Sequence, residues 1–591
     1  MKYITKTSGS VVSVRRIAVI CLVRPSRERA RYVVTRELPV AQPPKNNIVV
    51  RDMRRPSRPA SHIRFVVLAS LLAIADATPL LSQKPPPSVT ISMTPPPIAR
   101  EFRGAWVASV ANIDWPSRRD LSPDEQRAEL LRIFDRAVSL RLNAIVLQVR
   151  PAADALYLSR LEPWSEYLTG KMGLAPVPAY DPLAFAVQEA HARGLELHAW
   201  FNPYRARHSS GVGDAAPSHV SRRHPERVRA YGPFQWMDPG DAAVRAMAVR
   251  VITDVVRRYD VDGVHIDDYF YPYQERDANG RAIEFPDGAT WRRYIRHRKR
   301  HLQRDDWRRR NVDLFVQQLY RAVHATKPWV RVGVSPFGIW RPGNPPGVSG
   351  LDSYTELFAD SRRWVRSGWL DYVAPQLYWP IAAPSQPFSP LLSWWVAQNT
   401  HHRHVWPGLN ASRIESGNAR SWKSAEILGQ IDLTRAQNGA TGNILYSTTA
   451  LMLDRDSIDE RLTTSAYFDP ALVPASPWLG RRPPRTPRIR VRDDSVGTGA
   501  EVSLALAAGE RRSVWTLRAR FGDGWSQEIV PASERTHPII GLPGVGGGTA
   551  PDMVVVSVIG RTGMESPVAI AVRRPCVARR TGCWVAPGGH R

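Results

Sequence analysis

The sequence is poor in cysteine, with three in 591 residues. This scarcity excludes a framework of several disulfides, although Cys576 and Cys583 could pair in an oxidising compartment. Metal-site motifs are also lacking: the sequence has no HExxH motif, no regular Cys/His spacing and no acidic loop that could surround Mg²⁺ or Ca²⁺. We therefore expect neither a metal ion nor another cofactor.

Long apolar runs are absent apart from one short segment, Phe65 to Ala75. Arginines precede this segment and Ala75-Asp76-Ala77 follows it, which is the pattern of a secretory signal peptide. The run is too short to span a bilayer comfortably. Met53 stands just ahead of it, so we assign 53–77 to a signal peptide and 1–52 to a mis-called start or disordered extension. A Pro-rich linker follows at 78–99, and we expect a secreted or periplasmic protein without a stable membrane span.

Acidic residues are scarce, and the formal net charge is +27. The charge is uneven, because residues 1–100 contain 17 Lys/Arg against 4 Asp/Glu. The remaining basic excess would suit an anionic partner such as nucleic acid or a cell-wall polymer. A generally Arg-rich composition explains the same excess, so we expect no nucleic-acid partner.

Eight short apolar runs alternate with amphipathic helical segments from Glu101 onward. Alternation of this kind predicts parallel strands joined by crossover helices. The helical segment 181–194 begins Asp-Pro and ends in Gly, a favourable helix start and stop. Over about 370 residues, 100–473, a (β/α)8 TIM-type barrel is the simplest arrangement. A doubly wound open sheet is the alternative, but no Gly-rich phosphate turn follows the first strand. The eight runs are 102–110, 143–151, 195–204, 263–268, 330–338, 371–379, 404–411 and 442–449.

The stretch VDGVHIDDYFYPY (261–273) ends a buried strand with two adjacent carboxylates, which are costly to bury without a partner or a role. Strand alternation turns His265 and Asp267 into the barrel and Val264 and Ile266 toward the helices. The same alternation turns further polar and aromatic residues inward, toward the strand ends where barrel enzymes keep their active sites. These residues are Gln148, Arg150, Glu196, His198, Trp200, Asn202, Gln376 and Tyr378.

Several longer stretches resemble the glycosyl-hydrolase-like 10 family of exported bacterial proteins over about Arg100 to Pro470. The resemblance implies a (β/α)8 barrel that acts on bacterial cell-wall glycan, notably peptidoglycan strands already stripped of their stem peptides. It also implies an acidic pair at the end of the fourth strand, which is Asp267 and Asp268 here. The stretches are REFRGAWVASVANIDWPS, NAIVLQVRPAADALYLSRLEPWSEYLTG, YDPLAFAVQEAHARGLELHAWFNPYR, YDVDGVHIDDYFYPY, VGVSPFGIWRP and DYVAPQLYWP.

We therefore predict an exported glycoside hydrolase with a polysaccharide substrate and with Asp267 and Asp268 as the catalytic residues. Aromatic rings suit the apolar faces of sugars, and amides and guanidinium groups suit their hydroxyls. Arg150 and Arg205 could bind a muramyl carboxylate, or could be salt-bridged to Asp154 or Glu196 instead. The predicted substrate-binding residues are Gln148, Arg150, Trp200, Asn202, Tyr204, Arg205, His265, Tyr269, Gln376, Tyr378 and Trp379.

The mechanism and the function class each leave alternatives. Most glycosidases use one carboxyl as acid and a second as base or nucleophile, whereas a substrate with N-acetyl groups can supply its own amide oxygen as nucleophile. A non-catalytic glycan-binding barrel and a hydrolase of poly-N-acetylglucosamine are the other candidate functions. A metal-dependent deacetylase is weaker, because HHRH (401–404) has no accompanying ligand motif. The oligomeric state is not predicted.

After the barrel, a Pro/Arg-rich linker at 474–487 leads into alternating apolar runs broken by Gly-rich turns. This pattern predicts a small β-sandwich at 488–574, similar to a fibronectin type III module. The last segment, 575–591, contains Cys576 and Cys583 and is predicted to be disordered.

Overall fold

The computed structural model describes residues 94–297, 301–494, 498–508, 514–541, 549–574 and 583–586. These residues all belong to one compact unit, Ser88–Arg591. The predicted signal peptide lies outside the described residues, and so does Cys576, the possible partner of Cys583. Within the described ranges, no helix is long and apolar enough to cross a membrane.

The predicted (β/α)8 barrel is confirmed. Its parallel strands follow one another in chain order around the sheet, and the last strand pairs with the first. The seventh strand is in two pieces separated by Trp406 and Pro407: the first pairs with the sixth strand and the second with the eighth. The strands are β1 (Phe102–Val107), β2 (Ala144–Arg150), β3 (Glu196–Phe201), β4 (Gly263–Ile266), β5 (Arg331–Val334), β6 (Tyr372–Val373), β7 (His404–Val405 and Gly408–Leu409) and β8 (Gly442–Leu445).

A helix follows each strand and covers the outside of the barrel. The first has a full capping box, in which Ser122 and Glu125 satisfy each other's backbone N–H groups. The second starts as predicted, with the Asp181 side chain accepting from two backbone N–H groups and Pro182 in the first turn. The helices are α1 (Pro123–Ser139), α2 (Pro182–Ala192), α3 (Ala242–Arg258), α4 (Arg304–Thr326), α5 (Ser361–Arg366), α6 (Phe388–Gln398), α7 (Ser424–Ala436) and α8 (Thr448–Met452).

Further short elements lie in the loops between strands and helices. Helices Glu166–Thr169, Val220–Arg223, Gly288–Arg296 and Ser353–Glu356 decorate the barrel. A small antiparallel sheet of Arg205–Arg207, Val228–Tyr231 and Phe234–Met237 follows β3. Because β3 ends beside the catalytic candidates, this sheet forms part of the wall around them.

Aromatic side chains fill the barrel interior. The rings of Phe102 and Trp406 stack with centroids 3.7 Å apart, and Tyr372 lies beside them. Gly263 makes room for His198, since a Cβ there would lie 2.4 Å from the imidazole Nδ1. The interior is therefore a packed core, and any open space must lie above it at the strand ends.

The C-terminal region is a sandwich of two antiparallel sheets with a shared apolar core. One sheet has the order β9-β10-β13 and the other β12-β11-β14-β15-β16. Trp515 and Val556 of one sheet belong to the same core as Val502 and Ile539 of the other. The strands are β9 (Arg488–Asp493), β10 (Gly499–Ala505), β11 (Val514–Phe521), β12 (Gly524–Pro531), β13 (Thr536–Ile540), β14 (Met553–Ile559), β15 (Ala569–Arg574) and β16 (Cys583–Val585).

Three segments are more ordered than the sequence indicates. Ala99, the last residue of the predicted linker 78–99, and Arg100 after it pair with Ala471–Leu472. In the linker 474–487, Ser476 is fully buried against Arg331 and His404. The disorder predicted for 575–591 does not hold for Cys583–Val585, which pair with β15. For the first two segments the partner is distant in sequence, so local composition gave no sign of it.

Candidate active site

A cavity of about 260 Å³ lies where the barrel strands end. Both carboxylates of the predicted pair line it, and so do six of the predicted substrate-binding residues. These eight residues lie at or just after the carboxyl ends of four different strands, β2, β3, β4 and β6, which is where active sites of this fold occur. The predicted residues on the cavity wall are Gln148, Trp200, Arg205, Asp267, Asp268, Tyr269, Gln376 and Tyr378.

The end of β4 brings both aspartates to the cavity. Val264 and Ile266 face the helices and belong to the main core, whereas His265 points into the barrel. The strand stops at Ile266, so Asp267 continues the inward alternation while Asp268 is already in the following turn. The turn removes the constraint that neighbouring residues on a strand point to opposite sides.

Asp267 is buried among neutral hydrogen-bond donors. Its Oδ2 accepts from Trp200 Nε1 at 3.1 Å and from Asn202 Nδ2, and its Oδ1 accepts from the Tyr269 backbone N–H at 3.3 Å. Burial raises the pKa of Asp267 to about 7; the nearby charge of Arg205 opposes this rise and that of Asp268 adds to it. Near neutral pH this carboxyl group therefore exists in both protonated and ionised forms.

Asp268 is also buried, and it has a different donor. The Tyr273 hydroxyl donates to its Oδ2, and the Gln376 side-chain amide contributes a second hydrogen bond. Burial raises the pKa of Asp268, while these two hydrogen bonds oppose the rise. The two adjacent carboxyl groups therefore differ in their surroundings, as an acid and its partner in catalysis must.

Gln148, Asn202 and Arg205 support Asp267 from below. Gln148 Nε2 donates to Asn202 Oδ1 at 2.6 Å, and Arg205 Nη1 donates to the same oxygen at 3.1 Å. The Arg205 guanidinium also lies 4.4 Å from the centroid of the Tyr269 ring. Neither of the salt bridges considered for Arg205 forms, because Asp154 and Glu196 have other partners.

Arg150 does not line the cavity. Its guanidinium forms a bidentate ion pair with Glu162, at 2.5 and 2.8 Å, and donates to the Asn202 carbonyl at 2.5 Å. The Arg150 side chain is fully buried. It is thus committed to holding the loops after β2 and β3 together, and neither Asp154 nor Glu196 is its partner.

Four other predicted substrate-binding residues also lie off the cavity wall. Asn202 lies behind Asp267, and His265 lies beneath the cavity, where Trp106 Nε1 donates to its Nε2 at 3.1 Å. Tyr204 is fully buried against Phe315, and the Trp379 ring packs edge-on against another ring in the loop after β5. Their predicted contact with substrate is not supported by these positions.

Sequence reasoning missed several cavity residues. Trp106 and Tyr446 follow the inward alternation of β1 and β8, so the rule applied to β4 would have found them. Tyr273 lies within the quoted acidic stretch, but only the turn after β4 brings it back to Asp268. His208 and Ser335 had no signal in the sequence beyond their nearness to strand ends.

Among the residues that the structure describes, no group of three or more His, Cys, Asp or Glu side chains could hold a metal ion. The donors around Asp267 are an indole N–H, a side-chain amide and a backbone N–H, none of which binds a cation. The pair as it stands is arranged to accept hydrogen bonds and to exchange protons.

A family model for Glycosyl hydrolase-like 10 matches residues 101–424. The chain belongs to this family. Glycosyl hydrolase YngK of Bacillus subtilis (strain 168) is 40% identical over 448 residues, covering 74% of this chain and 86% of that protein. Glycosyl hydrolase DigH of Escherichia coli (strain K12) is 34% identical over 414 residues, covering 65% and 91%.

Among solved structures, the PgaB (BpsB) glycoside hydrolase domain from Bordetella bronchiseptica is similar at a TM-score of 0.41 and 15% identity. The match covers 62% of this chain and 98% of that one, and it is too weak to bear on the substrate. Membership of the Glycosyl hydrolase-like 10 family makes this protein glycoside-hydrolase-like, with a carbohydrate substrate. The matched range includes every cavity residue discussed above except Tyr446.

Proposed function

We propose that the protein is an exported glycoside hydrolase that cleaves bacterial cell-wall glycan, with peptide-stripped peptidoglycan strands as its substrate. The observation that carries the proposal is the pair Asp267 and Asp268, two buried carboxyl groups on one cavity at the carboxyl ends of the strands. Export is proposed from the signal-like pattern at 53–77, which lies outside the described residues.

In this proposal Asp267 is the general acid. An acid for neutral pH needs a pKa close to 7, and burial gives Asp267 such a value. As the glycosidic bond breaks, Asp267 protonates the leaving oxygen and becomes a carboxylate. The indole of Trp200 and the amide of Asn202 already point N–H groups at that carboxylate, so the developing charge needs no rearrangement.

Asp268 then acts at the anomeric centre. It is held as a hydrogen-bond acceptor by the Tyr273 hydroxyl, which suits the ionised form. It can serve as nucleophile or base, or it can orient the N-acetyl group of the sugar so that the amide oxygen attacks. An N-acetylated substrate makes the second scheme available, and both use the same two residues.

Aromatic residues around the pair support a sugar substrate. Trp106, Trp200, Tyr378 and Tyr446 all line the cavity, and the rings of Tyr378 and Tyr446 stack with centroids 5.7 Å apart. Such rings bind the apolar faces of pyranose sugars, while the amides and hydroxyls between them can bind the sugar hydroxyl groups.

Mass spectrometry of reaction products tests the proposal. The protein is incubated with amidase-stripped peptidoglycan strands, intact peptidoglycan and poly-N-acetylglucosamine, alongside Asp267→Asn and Asp268→Asn. We expect short oligosaccharides from the stripped strands, and a fall of at least about 100-fold in each variant, because a general acid contributes about that much or more.

The matched control is Asp523→Asn, which alters an exposed aspartate in the β11–β12 turn and should leave the products unchanged. If oligosaccharides are released from poly-N-acetylglucosamine alone, that polymer becomes the proposed substrate in place of peptidoglycan strands. Binding to stripped strands without any product would instead establish a glycan-binding protein.

A further inference from the structure

Below the catalytic pair, a chain of hydrogen bonds connects the backbone of the loop after β1 to Asp267 through two side-chain amides. We propose that Gln148 is a positioning residue which, through Asn202, confines the acidic proton of Asp267 to Oδ1. The inference deepens the proposed function and rests on Asp267 being its acid.

The orientation of the Gln148 amide is determined by the backbone. Its Oε1 accepts from the N–H groups of Ser109 and Val110, each at 2.8 Å. A flipped amide would place an NH₂ group against two N–H donors, so Oε1 must face them. Gln148 is fully buried, and its Nε2 is left to donate toward Asn202.

The orientation of Asn202 follows from that of Gln148. Its Oδ1 receives hydrogen bonds from Gln148 Nε2 at 2.6 Å and from Arg205 Nη1 at 3.1 Å. Both partners can only donate at these atoms, so the Asn202 oxygen must face them. The Asn202 NH₂ group therefore points the other way, at Oδ2 of Asp267.

Asp267 Oδ2 thus faces two groups that can only donate, Asn202 Nδ2 and Trp200 Nε1. A proton on Oδ2 would meet N–H groups and would have no acceptor among them. Within the described part of the chain, Oδ1 accepts one long hydrogen bond, 3.3 Å from the Tyr269 backbone N–H, and can carry the proton. The network therefore distinguishes the two oxygens of one carboxyl group.

The assignment defines the path of the proton during cleavage. The proton leaves Oδ1 for the glycosidic oxygen, while the bond from that oxygen to the anomeric carbon breaks and its electron pair stays on the oxygen. Asp267 is left as a carboxylate, stabilised at Oδ2 by the two N–H donors. When water later adds at the anomeric carbon, the proton that it loses returns to Oδ1.

Gln148→Glu tests this chain with almost no change of shape. The ionised side chain still accepts from the Ser109 and Val110 N–H groups, but it cannot donate to Asn202. At pH 7.5 we expect kcat to fall by roughly 10- to 100-fold with KM changed less than about threefold, because proton transfer is affected and binding is not. When the introduced carboxyl is protonated, it can again donate to Asn202. The ratio of variant to wild-type kcat should therefore rise as the pH falls toward 5.

Gln126→Glu is the matched control, because Gln126 is equally buried in α1 but lies away from the cavity. The ratio of kcat for Gln126→Glu to kcat for wild type should not change with pH, once kcat is corrected for any loss of folded protein. A ratio for Gln148→Glu that is also independent of pH would overturn the proposal, because a purely structural defect gives that result.

Infrared spectroscopy of the free protein separates this inference from the proposed function. The band of the protonated Asp267 carboxyl is identified by its loss in Asp267→Asn. With the proton on Oδ1, the carbonyl oxygen is Oδ2, whose two hydrogen bonds lower the stretching frequency. We expect Gln148→Glu to move this band to higher frequency, and an unmoved band would overturn the inference. If the band moves but the protein cleaves no glycan, the inference about the position of the proton stands and the proposed hydrolase activity is rejected.

Discussion

At the amino end of the barrel Glu196 lies 2.9 Å from the guanidinium of Arg331, whereas at the carboxyl end Asp267 is surrounded by an indole, an amide and a backbone N–H. Both ends bury charge, but the Glu196 carboxylate contacts a cation directly, whereas the three hydrogen-bond donors to Asp267 are neutral. A buried carboxylate with a cationic partner remains ionised and structural, and one with neutral donors can exchange a proton.

The two residues flanking β4 show the same contrast over a few residues of chain. Asp262 precedes the strand and Asp267 follows it. Burial by itself would raise the pKa of both, but the charge of His191, 2.8 Å from Asp262, holds the pKa of Asp262 below its usual range. Among the described residues no cation contacts the Asp267 carboxyl group directly, and its pKa rises to about 7. The partner, more than the depth of burial, decides the protonation state.

The amino end is also closed, which leaves substrate only the carboxyl end. Ser476 lies 3.0 Å from both Arg331 and His404, and Trp478 donates to Asp371 at 2.8 Å. The β-sandwich contacts the same end through Arg561, which pairs with Asp260. This contact lies at the opposite end of the barrel from Asp267 and Asp268, and none of the described side chains of the β-sandwich lines the cavity.

The largest loss of stability is expected from breaking the ion pair at the amino end. Glu196→Ala leaves Arg331, which is fully buried, without its carboxylate, and should cost about 3 kcal/mol of unfolding free energy. Urea denaturation measures it. Glu189→Ala, which removes an i,i+4 pair on the α2 surface, is the control and should cost less than about 0.5 kcal/mol. If the two variants lose equal unfolding free energy, the buried ion pair at Glu196 contributes no more to stability than the surface ion pair at Glu189.

An effect of similar size and opposite sign is expected at the carboxyl end. The pKa of Asp267 is about 7 in the folded protein against 3.8 ordinarily, so folding retains a proton that the unfolded chain releases. The stabilising contribution is complete below about pH 4 and is lost as the pH rises to about 7 and beyond. Asn cannot ionise, so Asp267→Asn should be more stable than wild type by up to about 4 kcal/mol at pH 8 and nearly equal at pH 4.

Thermal or urea denaturation at the two pH values checks this prediction, with Asp523→Asn as the exposed control. If Asp267→Asn is instead less stable than wild type at pH 8, the neutral donors stabilise the ionised Asp267 carboxylate. That result would contradict the contrast drawn between Asp267 and the ion-paired carboxylates.

The smallest effect is expected where the β-sandwich meets the barrel. Arg561→Ala removes the pair with Asp260, which is nearly half exposed, and the contact of the guanidinium with the Trp329 ring at 5.6 Å. We expect a loss of about 1 kcal/mol or less, with glycan cleavage unchanged. Arg535→Ala, an exposed change elsewhere on the sandwich, sets the baseline. Lower cleavage per folded molecule would indicate that the sandwich influences the site after all.

Much of this architecture could be predicted from local patterns. All eight strands lie within the predicted runs, and alternation correctly separated Val264 and Ile266 from His265 and Asp267. The same alternation along β1 and β8 turns Trp106 and Tyr446 toward the cavity, where the structure places both. For Arg150 the rule was insufficient: the register between β2 and β3 shifts after Gln148, and Glu162 in the following loop binds the guanidinium.

The amino-acid sequence by itself determined the barrel, its strand order and the placement of two aspartates at the end of the fourth strand, because hydrophobic period and helix signals are local. Only the tertiary structure decided which donors surround each carboxyl group. Tyr273 returns to Asp268 through a turn, and Gln148 reaches Asp267 through Asn202 from another strand. The proton affinity of a carboxyl group depends on neighbours within a few ångströms of it. How far apart these residues lie along the chain does not show whether they are close in space.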